Sequence, residues 1–266
     1  MLGTALPLTS LRPPLKWAGG KRWQVPHLRY LWAGHEHRRL VEPFCGGLAV
    51  TLGLLPQRAL LNDSNPHLIG FYRWVKKGFA IDIEMKNDKR HYYRCRDRFN
   101  ALLAEGKGHS REAASLFYFL NRTGYNGLCR FNRGGRFNVP FGRYRRIHYL
   151  DDFSAYEPLL SRWEFSSMDI GQLRLDDEDF VYADPPYDVE FTQYASAGFS
   201  WADQERTATL FSRHRGPVVL VNQGTSRIER LYRSLGYAVG FLEAPRRISC
   251  NGDRRPAKEI LATRNL

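Results

Sequence analysis

The sequence predicts an α/β fold in which a doubly wound sheet carries helices on both faces and a smaller, mainly helical insert. Three observations support this fold class. Short apolar strands end in glycine-rich or polar turns, helical segments follow those strands, and this alternation stops in the middle of the chain and later resumes. The 266 residues are 43% hydrophobic, which suits one large domain or a core domain with an insert.

The first part of the chain begins the alternation. Its predicted elements are a strand at 40–44, an apolar helix to about Leu55, a strand at 58–63 and a helix from Pro66 to Gly78. Asn65 is the predicted N-cap of the last helix, because an Asn side chain satisfies free N–H groups and proline suits the first helical position. Strand, glycine turn, helix, strand and helix in this order are typical of a doubly wound sheet.

The middle of the chain differs from both ends. Helices are predicted at 91–104 and 111–122, the second capped by Ser110, and residues 121–150 are predicted to form loop and hairpin. The α/β pattern then resumes with a strand at 180–183, a helix at 203–213, a strand at 217–222, a helix at 226–235 and a strand at 259–263. We therefore expect a small domain at 79–150 inside a larger domain made of 1–78 and 151–266.

The charge of the chain predicts an anionic partner, either nucleic acid or a membrane surface. Lys and Arg outnumber Asp and Glu by 40 to 27, giving a formal charge of +13. The excess is concentrated, since residues 86–146 hold 15 basic and 4 acidic side chains, and residues 121–150 hold seven Arg and no acid. A merely solvated basic face would spread this charge evenly along the chain.

Several classes of protein are disfavoured by what the sequence lacks. Its longest apolar stretch, 44–55, is interrupted by glycines and falls short of the about 20 residues that a membrane helix needs. The N-terminus has no basic segment before an apolar core, which argues against a secretory signal. The four cysteines, Cys45, Cys95, Cys129 and Cys250, form no close pair, so we expect neither a zinc site nor a disulfide framework. This use of cysteine suits a reducing cytoplasm.

The sharpest chemical signal is Asp184-Pro185-Pro186-Tyr187, directly after the predicted strand at 180–183. Ligands of open α/β sheets bind at strand carboxyl ends. An exocyclic base nitrogen is a poor nucleophile until acceptors hold its N–H groups. Asp184 offers one acceptor and the Pro185 carbonyl a second, while Tyr187 offers a flat face for a base. The alternative is a polar turn that merely ends a strand.

Two further motifs suggest a nucleotide-like ligand. Glu42-Pro43-Phe44-Cys45-Gly46-Gly47 follows the first strand, and Asp63 stands at the end of the next, where an acid can bond ribose hydroxyls. The full dinucleotide fingerprint is absent, which weakens a nicotinamide interpretation, and simple packing is the alternative. Leu15-Lys16-Trp17-Ala18-Gly19-Gly20-Lys21 suggests a ligand-facing loop, with an exposed Trp as the alternative.

Taken in order, these motifs resemble those of Dam-type DNA adenine-N6 methyltransferases. The resemblance lies in residues 15–21, 41–47, 62–65 and 184–187, and in 246–252 near the end of the chain. Residues 120–132 and 136–144 resemble the target-recognition region of that family, and so long a match is more specific than any tetrapeptide. The resemblance implies a Rossmann-like class I methyltransferase sheet, S-adenosylmethionine as methyl donor, no metal, and GATC in double-stranded DNA as the target.

The resemblance also assigns roles to residues. It implies catalysis by Asp184, Pro185, Pro186 and Tyr187; contacts to the donor from Trp17, Lys21, Glu42, Phe44, Gly46, Asp63 and Asp184; and contacts to DNA from Lys16, Tyr125, Asn126, Leu128, Arg130, Pro140 and Tyr144. Arg130 suits bidentate bonding to guanine, Leu128 and Pro140 suit a thymine methyl, and Tyr125 suits a wedge between bases. It further implies a monomer working on the nucleoid of a bacterial host.

Two departures from the family pattern and three rival functions stay open. The segment 188–194 after the catalytic motif is shorter than in some relatives and adds two acids there. Asn222-Gln223-Gly224-Thr225 stands where an Asn-His-Asp-Thr-like sequence is expected. The rivals are a catalytically silent DNA-binding regulator, a methyltransferase for RNA or a protein amide, and a nicotinamide oxidoreductase. Intact Asp184 and Tyr187 argue against the first, and the recognition region argues against the second.

Overall fold

The structure, a computed structural model, describes residues 11–188, 199–244 and 257–266. The helices are α1 Val25–Trp32, α2 Thr51–Leu54, α3 Pro66–Val75, α4 Lys89–Ala104, α5 Arg111–Thr123, α6 Glu157–Leu160, α7 Trp201–Ser212 and α8 Ser226–Ser234. The strands are β1 Leu40–Glu42, β2 Ala59–Asn62, β3 Trp163–Ser166, β4 Phe180–Ala183, β5 Val218–Gln223, β6 Ala238–Ala244 and β7 Ala257–Arg264. The expectations for residues 189–194 and 246–252, and for Cys250, lie outside the described residues.

The chain divides into two compact units. The first combines the described residues up to Arg22 with Gly46–Leu55 and Asp63–Ser167, and the second combines Trp23–Cys45, Pro56–Asn62 and Met168–Leu266. Each unit therefore draws on separate stretches of sequence. The expected division into a small domain at 79–150 and a larger domain at 1–78 and 151–266 stays a prediction.

The six strands of the second unit form one sheet in the order β2-β1-β4-β5-β7-β6. Strands β2, β1, β4 and β5 are parallel, and β7 runs antiparallel to both of its neighbours. Because β1 lies between β2 and β4, the strand order reverses there, and ligands of doubly wound sheets bind at such a switch point. Glu42 and Ala183 end their strands at this edge.

Helices cover both faces of this sheet. Trp32 of α1 packs edge-on against Phe180, with ring centroids 5.0 Å apart. The next residue, Val181, points to the opposite face, where it joins a core cluster with Phe211 of α7 and Ile228 of α8. The predicted doubly wound, Rossmann-like sheet is confirmed.

The first unit is mainly helical, and its predicted caps are confirmed. Asn65 accepts hydrogen bonds from the backbone of His67 and Leu68 at the start of α3, and Ser110 accepts one from Ala113 at the start of α5. Aromatic side chains join these helices, as in the parallel stacking of Phe71 on Tyr118 at 5.6 Å. Helices α3 and α5 thus form a rigid support for the segment that follows α5.

The sequence did not predict α1, α6, β3 or β6. Helix α1 has no side-chain cap and no acid in its first turn, so Pro26 near its start was the one N-terminal signal that the sequence offered. Most side chains of β6 are exposed or half-buried, and its order of apolar and polar residues does not alternate. No helix in the described part of the chain has both the length and the apolar character to cross a membrane.

Candidate functional site

The catalytic motif follows β4 at the carboxyl edge of the sheet. All four residues of β4 are buried, so the strand fixes the point at which Asp184 emerges. Asp184 and Tyr187 are half-buried, Pro185 is buried and Pro186 is exposed. The four residues therefore line the edge where a ligand of a doubly wound sheet binds.

A buried polar network holds the loop that contains this motif. The Gln204 side chain on α7 donates to the Pro186 carbonyl at 2.7 Å and accepts from the Asn222 amide at 2.9 Å. Asn222, at the end of β5, accepts from the Asp188 backbone N–H at 3.2 Å. Both Gln204 and Asn222 are buried, so two neighbouring elements fix the loop on either side of Tyr187.

A second polar network includes Tyr187 and Glu259. Burial raises the pKa of the Tyr187 phenol far above its usual value, and the carboxylates of Asp184 and Glu259 raise it further. Glu259 on β7 also accepts a hydrogen bond from the Gln24 amide at 2.8 Å, and Gln24 accepts from the Tyr182 hydroxyl at 2.9 Å. Tyr187 therefore stays a neutral phenol at physiological pH.

Asp188 is neutralised by a partner that the sequence did not reveal. Asp188 is 7% exposed, and its carboxylate forms an ion pair with Arg227 at the start of α8. The guanidinium also lies 4.7 Å from the centre of the Trp201 ring. This acid beside the catalytic motif is thus compensated within its own unit, and it is part of the scaffold of the loop.

We predict that Arg227→Ala lowers both stability and turnover, because it leaves the Asp188 carboxylate buried without its cation. The expected cost is roughly 1–3 kcal/mol, that of a buried polar group that loses its partner. Thermal unfolding and kcat would be measured beside Arg233→Ala, which removes an exposed pair with Glu229 on the same helix. Equal unfolding temperatures for the two variants would show that the ion pair with Asp188 is not structural.

Trp17 lies against the glycine turn that follows β1. A Cβ atom on Gly46 would come within 2.6 Å of the Trp17 indole nitrogen, and one on Gly47 within 2.8 Å of the Trp17 Cβ. Gly46 also has φ +44, which L side chains rarely adopt. The glycines therefore leave room for the Trp17 side chain, in line with the packing alternative that the sequence left open beside a ligand-binding role.

Asp63 is bound to the same turn. One carboxylate oxygen accepts from the Gly46 N–H at 3.2 Å and the other from the Asn65 N–H at 2.9 Å. Burial raises the pKa of Asp63, and these two backbone bonds oppose the rise. Lys21 is buried, and its ammonium donates to the Gly19 carbonyl at 2.9 Å.

The residues expected to contact the donor divide between the two units. Trp17, Lys21, Gly46 and Asp63 belong to the first unit, and Glu42, Phe44 and Asp184 belong to the second. Within the first unit, Trp17 and Asp63 both contact the glycine turn. Glu42 is buried and Phe44 half-buried. The described residues include no group of three or more His, Cys, Asp or Glu side chains that could hold a metal ion.

The residues expected to contact DNA all belong to the first unit. A tight turn follows α5, in which Asn126 (φ 52, ψ 21) and Gly127 (φ +63) both adopt left-handed backbone conformations. The Tyr125 N–H donates to the Pro140 carbonyl at 2.9 Å, and the Tyr125 side chain is 50% exposed. The turn thus presents an aromatic ring to solvent on a fixed backbone.

Lys16 and Tyr144 contact each other in the same region. The Lys16 ammonium lies 3.6 Å from the centre of the Tyr144 ring and donates to the Arg122 carbonyl at 3.0 Å. Burial, with a smaller effect of the Arg122 charge, lowers the pKa of Lys16 to about 8. The Tyr144 hydroxyl donates to the Gly124 carbonyl at 3.0 Å. Lys16 therefore packs against the segment that contains Arg122 and Tyr144, in addition to carrying charge.

Arg130 lies on a small hairpin. Phe131 and Phe137 form an antiparallel bridge, and the Arg130 guanidinium donates to the Asn138 side chain at 2.9 Å. Arg130 and Pro140 are exposed, and Leu128 is half-buried. Asn138 thus orients the guanidinium while leaving it accessible to a ligand.

Family models and curated proteins both match this chain. A family model described as "D12 class N6 adenine-specific DNA methyltransferase" matches residues 17–245. The chain is similar to a DNA adenine methylase of Vibrio cholerae (36% identity; 93% of this chain, 94% of that one). It is also similar to the retron Ec67 DNA adenine methylase of Escherichia coli (34%; 93% and 90%). A DNA N-6-adenine-methyltransferase of Escherichia phage P1 is 34% identical over 92% of this chain, which spans 34% of that enzyme's length.

Proposed function

Because this chain belongs to the D12 class N6 adenine-specific DNA methyltransferases, we propose that it methylates adenine within GATC in duplex DNA after flipping the base out of the helix. The observation that carries this proposal is the exposed recognition turn, with Tyr125 at its tip and Arg130 on the adjoining hairpin. The sequence around both residues resembles the recognition region of Dam-type enzymes. We further propose that the chain acts as a monomer.

Base flipping follows from where the reacting atom lies. The N6 atom of adenine is inaccessible to an active site while the base is stacked and paired. A half-exposed aromatic ring on a fixed backbone suits insertion between base pairs, which lowers the cost of extrusion. The seven Arg side chains between residues 121 and 150 supply the attraction to phosphates that precedes this step.

The residues of the first unit fit S-adenosylmethionine. The Asp63 oxygens each accept one backbone bond and retain lone pairs for ribose hydroxyls. Burial strengthens those bonds because water competes less for the carboxylate. Trp17, which contacts Gly46, and Lys21 complete this set in the first unit, and Glu42 and Phe44 are the proposed contacts in the second unit. When bound, the donor supplies an electrophilic methyl group on a positively charged sulfur.

In the proposed reaction, Asp184 and the Pro185 carbonyl accept hydrogen bonds from N6 of the flipped adenine. These acceptors favour a localised lone pair on that nitrogen as it attacks the methyl carbon. The electron pair of the methyl–sulfur bond would stay on sulfur, and the methylated N6 would lose one proton to solvent. Gln204 holds the neighbouring Pro186 carbonyl, so the loop does not need to reorganise during the reaction. The neutral Tyr187 ring stacks on the base. Positioning of the two reactants supplies much of the remaining acceleration.

A second substrate class, RNA or a protein amide, is tested by comparing methyl incorporation into each substrate. The tetrapeptide alone also suits methylation of RNA or of a protein amide, whereas the exposed turn and hairpin favour duplex DNA. Tritiated methyl incorporation would be compared for duplex DNA with GATC, RNA of the same sequence and bulk protein. We expect incorporation into DNA alone, and faster incorporation into RNA or protein would overturn the proposed substrate.

We predict that Arg130→Ala relaxes sequence specificity and largely preserves DNA binding. A bidentate Arg–guanine pair contributes about 1–3 kcal/mol of discrimination at one base pair, whereas a phosphate contact weakens binding to all sequences alike. Methylation of GATC would be compared with sites altered at one base, for the wild type and the variant. Arg133→Ala, a change of another exposed Arg on the same hairpin, is the matched control.

The pattern across sites separates the two roles of Arg130. Loss of discrimination at one base pair in Arg130→Ala, with Arg133→Ala unchanged in its preference, supports base reading. An equal loss of rate on every site would make Arg130 a phosphate contact. A wild type without preference for GATC would overturn the proposed target.

A further inference from the structure

Asn121, in the last turn of α5, binds the main chain of Lys16. Its side-chain oxygen accepts from the Lys16 N–H at 2.8 Å, and its amide nitrogen donates to the Lys16 carbonyl at 2.7 Å. Asn121 is 2% exposed, so water does not replace these bonds. One side chain therefore satisfies both main-chain groups of Lys16 and fixes the position of that residue.

The same amide also reaches the recognition turn. The Asn121 nitrogen lies 3.4 Å from the Gly127 carbonyl oxygen. A Cβ atom on Gly127 would come within 2.4 Å of the Lys16 Cβ, so the turn rests directly on Lys16. Asn121 thus sets the position of the turn relative to Lys16.

The next residue along the chain, Trp17, contacts the glycine turn beside Asp63. A short path of contacts therefore leads from the recognition turn, through Asn121 and Lys16, to the proposed donor residues. A second link runs in parallel, because Asn65 donates to the Cys129 sulfur at 3.2 Å and its own N–H donates to Asp63 at 2.9 Å. All of these contacts lie within the first unit.

We propose that Asn121 is a positioning residue. It fixes the loop that contains Lys16 and Trp17 relative to the DNA-recognition turn at Tyr125–Gly127. Donor affinity and target selection then depend on the same buried amide, although Asn121 touches neither ligand. Removing the amide leaves the Lys16 N–H and carbonyl without partners, and the loop that carries Trp17 shifts to recover them. This inference rests on the proposed roles of Trp17, Asp63 and the turn.

The first unit contains a matched control. Asn100 on α4 is also buried, its oxygen accepts from the Phe137 N–H at 2.7 Å, and its nitrogen donates to the Phe137 carbonyl at 3.1 Å. The chemistry is that of Asn121 with Lys16. The segment held by Asn100 is the hairpin of Arg130, which contains no proposed donor residue. Loss of Asn100 should therefore cost stability and change DNA selection without changing donor affinity.

The test measures the dissociation constant of S-adenosylmethionine by titration calorimetry in the absence of DNA, for wild type, Asn121→Ala and Asn100→Ala. We expect both variants to unfold at lower temperature. We expect donor binding to weaken about 5- to 30-fold in Asn121→Ala, as loss of one or two hydrogen bonds implies. In Asn100→Ala it should change less than about 2-fold, within the effect of a distant site. Unchanged donor affinity in folded Asn121→Ala would overturn the inference.

Asn121→Asp covers the case in which the alanine variant does not fold. It keeps the volume and the acceptor for the Lys16 N–H and loses the two donated bonds, so donor affinity should fall in the same direction. An Asp variant with wild-type donor affinity would overturn the inference as well. Wild type that binds no S-adenosylmethionine would instead overturn the proposed function, and the inference with it.

Discussion

Replacing Asp184 by alanine is expected to lower the rate of methyl transfer about 10²- to 10³-fold while the protein stays folded. Removal of one preorganised hydrogen-bond partner of a reacting group typically has an effect of about this size. The structure supports the second half of the prediction, because Asp184 follows β4 at the edge of the sheet and is half-buried, outside the apolar core. Single-turnover methyl transfer and thermal unfolding measure the two parts.

Asp169→Ala is the matched control for Asp184→Ala. Asp169 is an acid of the same unit, and its exposed carboxylate pairs with Arg206 at 2.7 Å. We expect its rate to equal that of the wild type, since exposed ion pairs contribute only about 0.2–1 kcal/mol of stability. A folded Asp184→Ala variant as active as Asp169→Ala would remove Asp184 from the reaction.

Replacing Asp63 by alanine is expected to weaken binding of S-adenosylmethionine by about 1.5–3 kcal/mol, the usual value of hydrogen bonds to a charged group. This corresponds to roughly a 10- to 150-fold rise in the dissociation constant. Non-specific DNA binding should stay nearly constant, because it depends on the basic side chains. Titration calorimetry with the donor, and DNA titration at several salt concentrations, measure the two affinities.

Asp63 also stabilises the glycine turn, so its variants need a control for folding. Asp63→Asn keeps an oxygen acceptor for one of the two N–H groups, that of Gly46 or that of Asn65, places its NH2 group toward the other, and loses the charge. We expect its donor affinity to lie between those of the wild type and Asp63→Ala. An unchanged donor affinity in both variants would mean that Asp63 serves only the turn.

Local patterns predicted most of the fold. Asn65 before Pro66 and Ser110 before the apolar face of α5 are capping signals that depend on neighbouring residues, and both helices begin where these signals stand. β4 at Phe180–Ala183 was predicted with its bounds because an apolar run ends at Asp184-Pro185. The same end of β4 predicted where a ligand of the sheet binds.

Contacts between distant residues could not be predicted in this way. The partners Asn121 and Lys16 are 105 residues apart, and Gln204 and Asn222 act on a loop that neither adjoins in sequence. A polar residue at the end of the apolar run Val218-Val219-Leu220-Val221, namely Asn222, was a usable signal for the site. No comparable signal marked Gln24 or Glu259, because their partners are defined only by the sheet order.

The glycine turn after β1 shows that one sequence motif can have more than one physical cause. Gly46 and Gly47 mark a close approach, as expected of a nucleotide-binding turn, yet the approaching group in the first unit is the Trp17 side chain. The sequence reveals that a Cβ is absent, and it does not reveal which atoms take the space. In the proposed donor site, Trp17 therefore packs against the glycine turn and lines the site.

The most direct test of the proposed function is single-molecule sequencing of genomic DNA from cells that lack their own adenine methyltransferase and express this chain. The measurement reports the modified base, the modified atom and the surrounding sequence together. We expect N6-methyladenine on both strands of GATC, and far less of it in cells that express Asp184→Ala at the same level. Methylation confined to another sequence would contradict the GATC target, and DNA without N6-methyladenine in cells that contain the folded protein would contradict the proposed function as a whole.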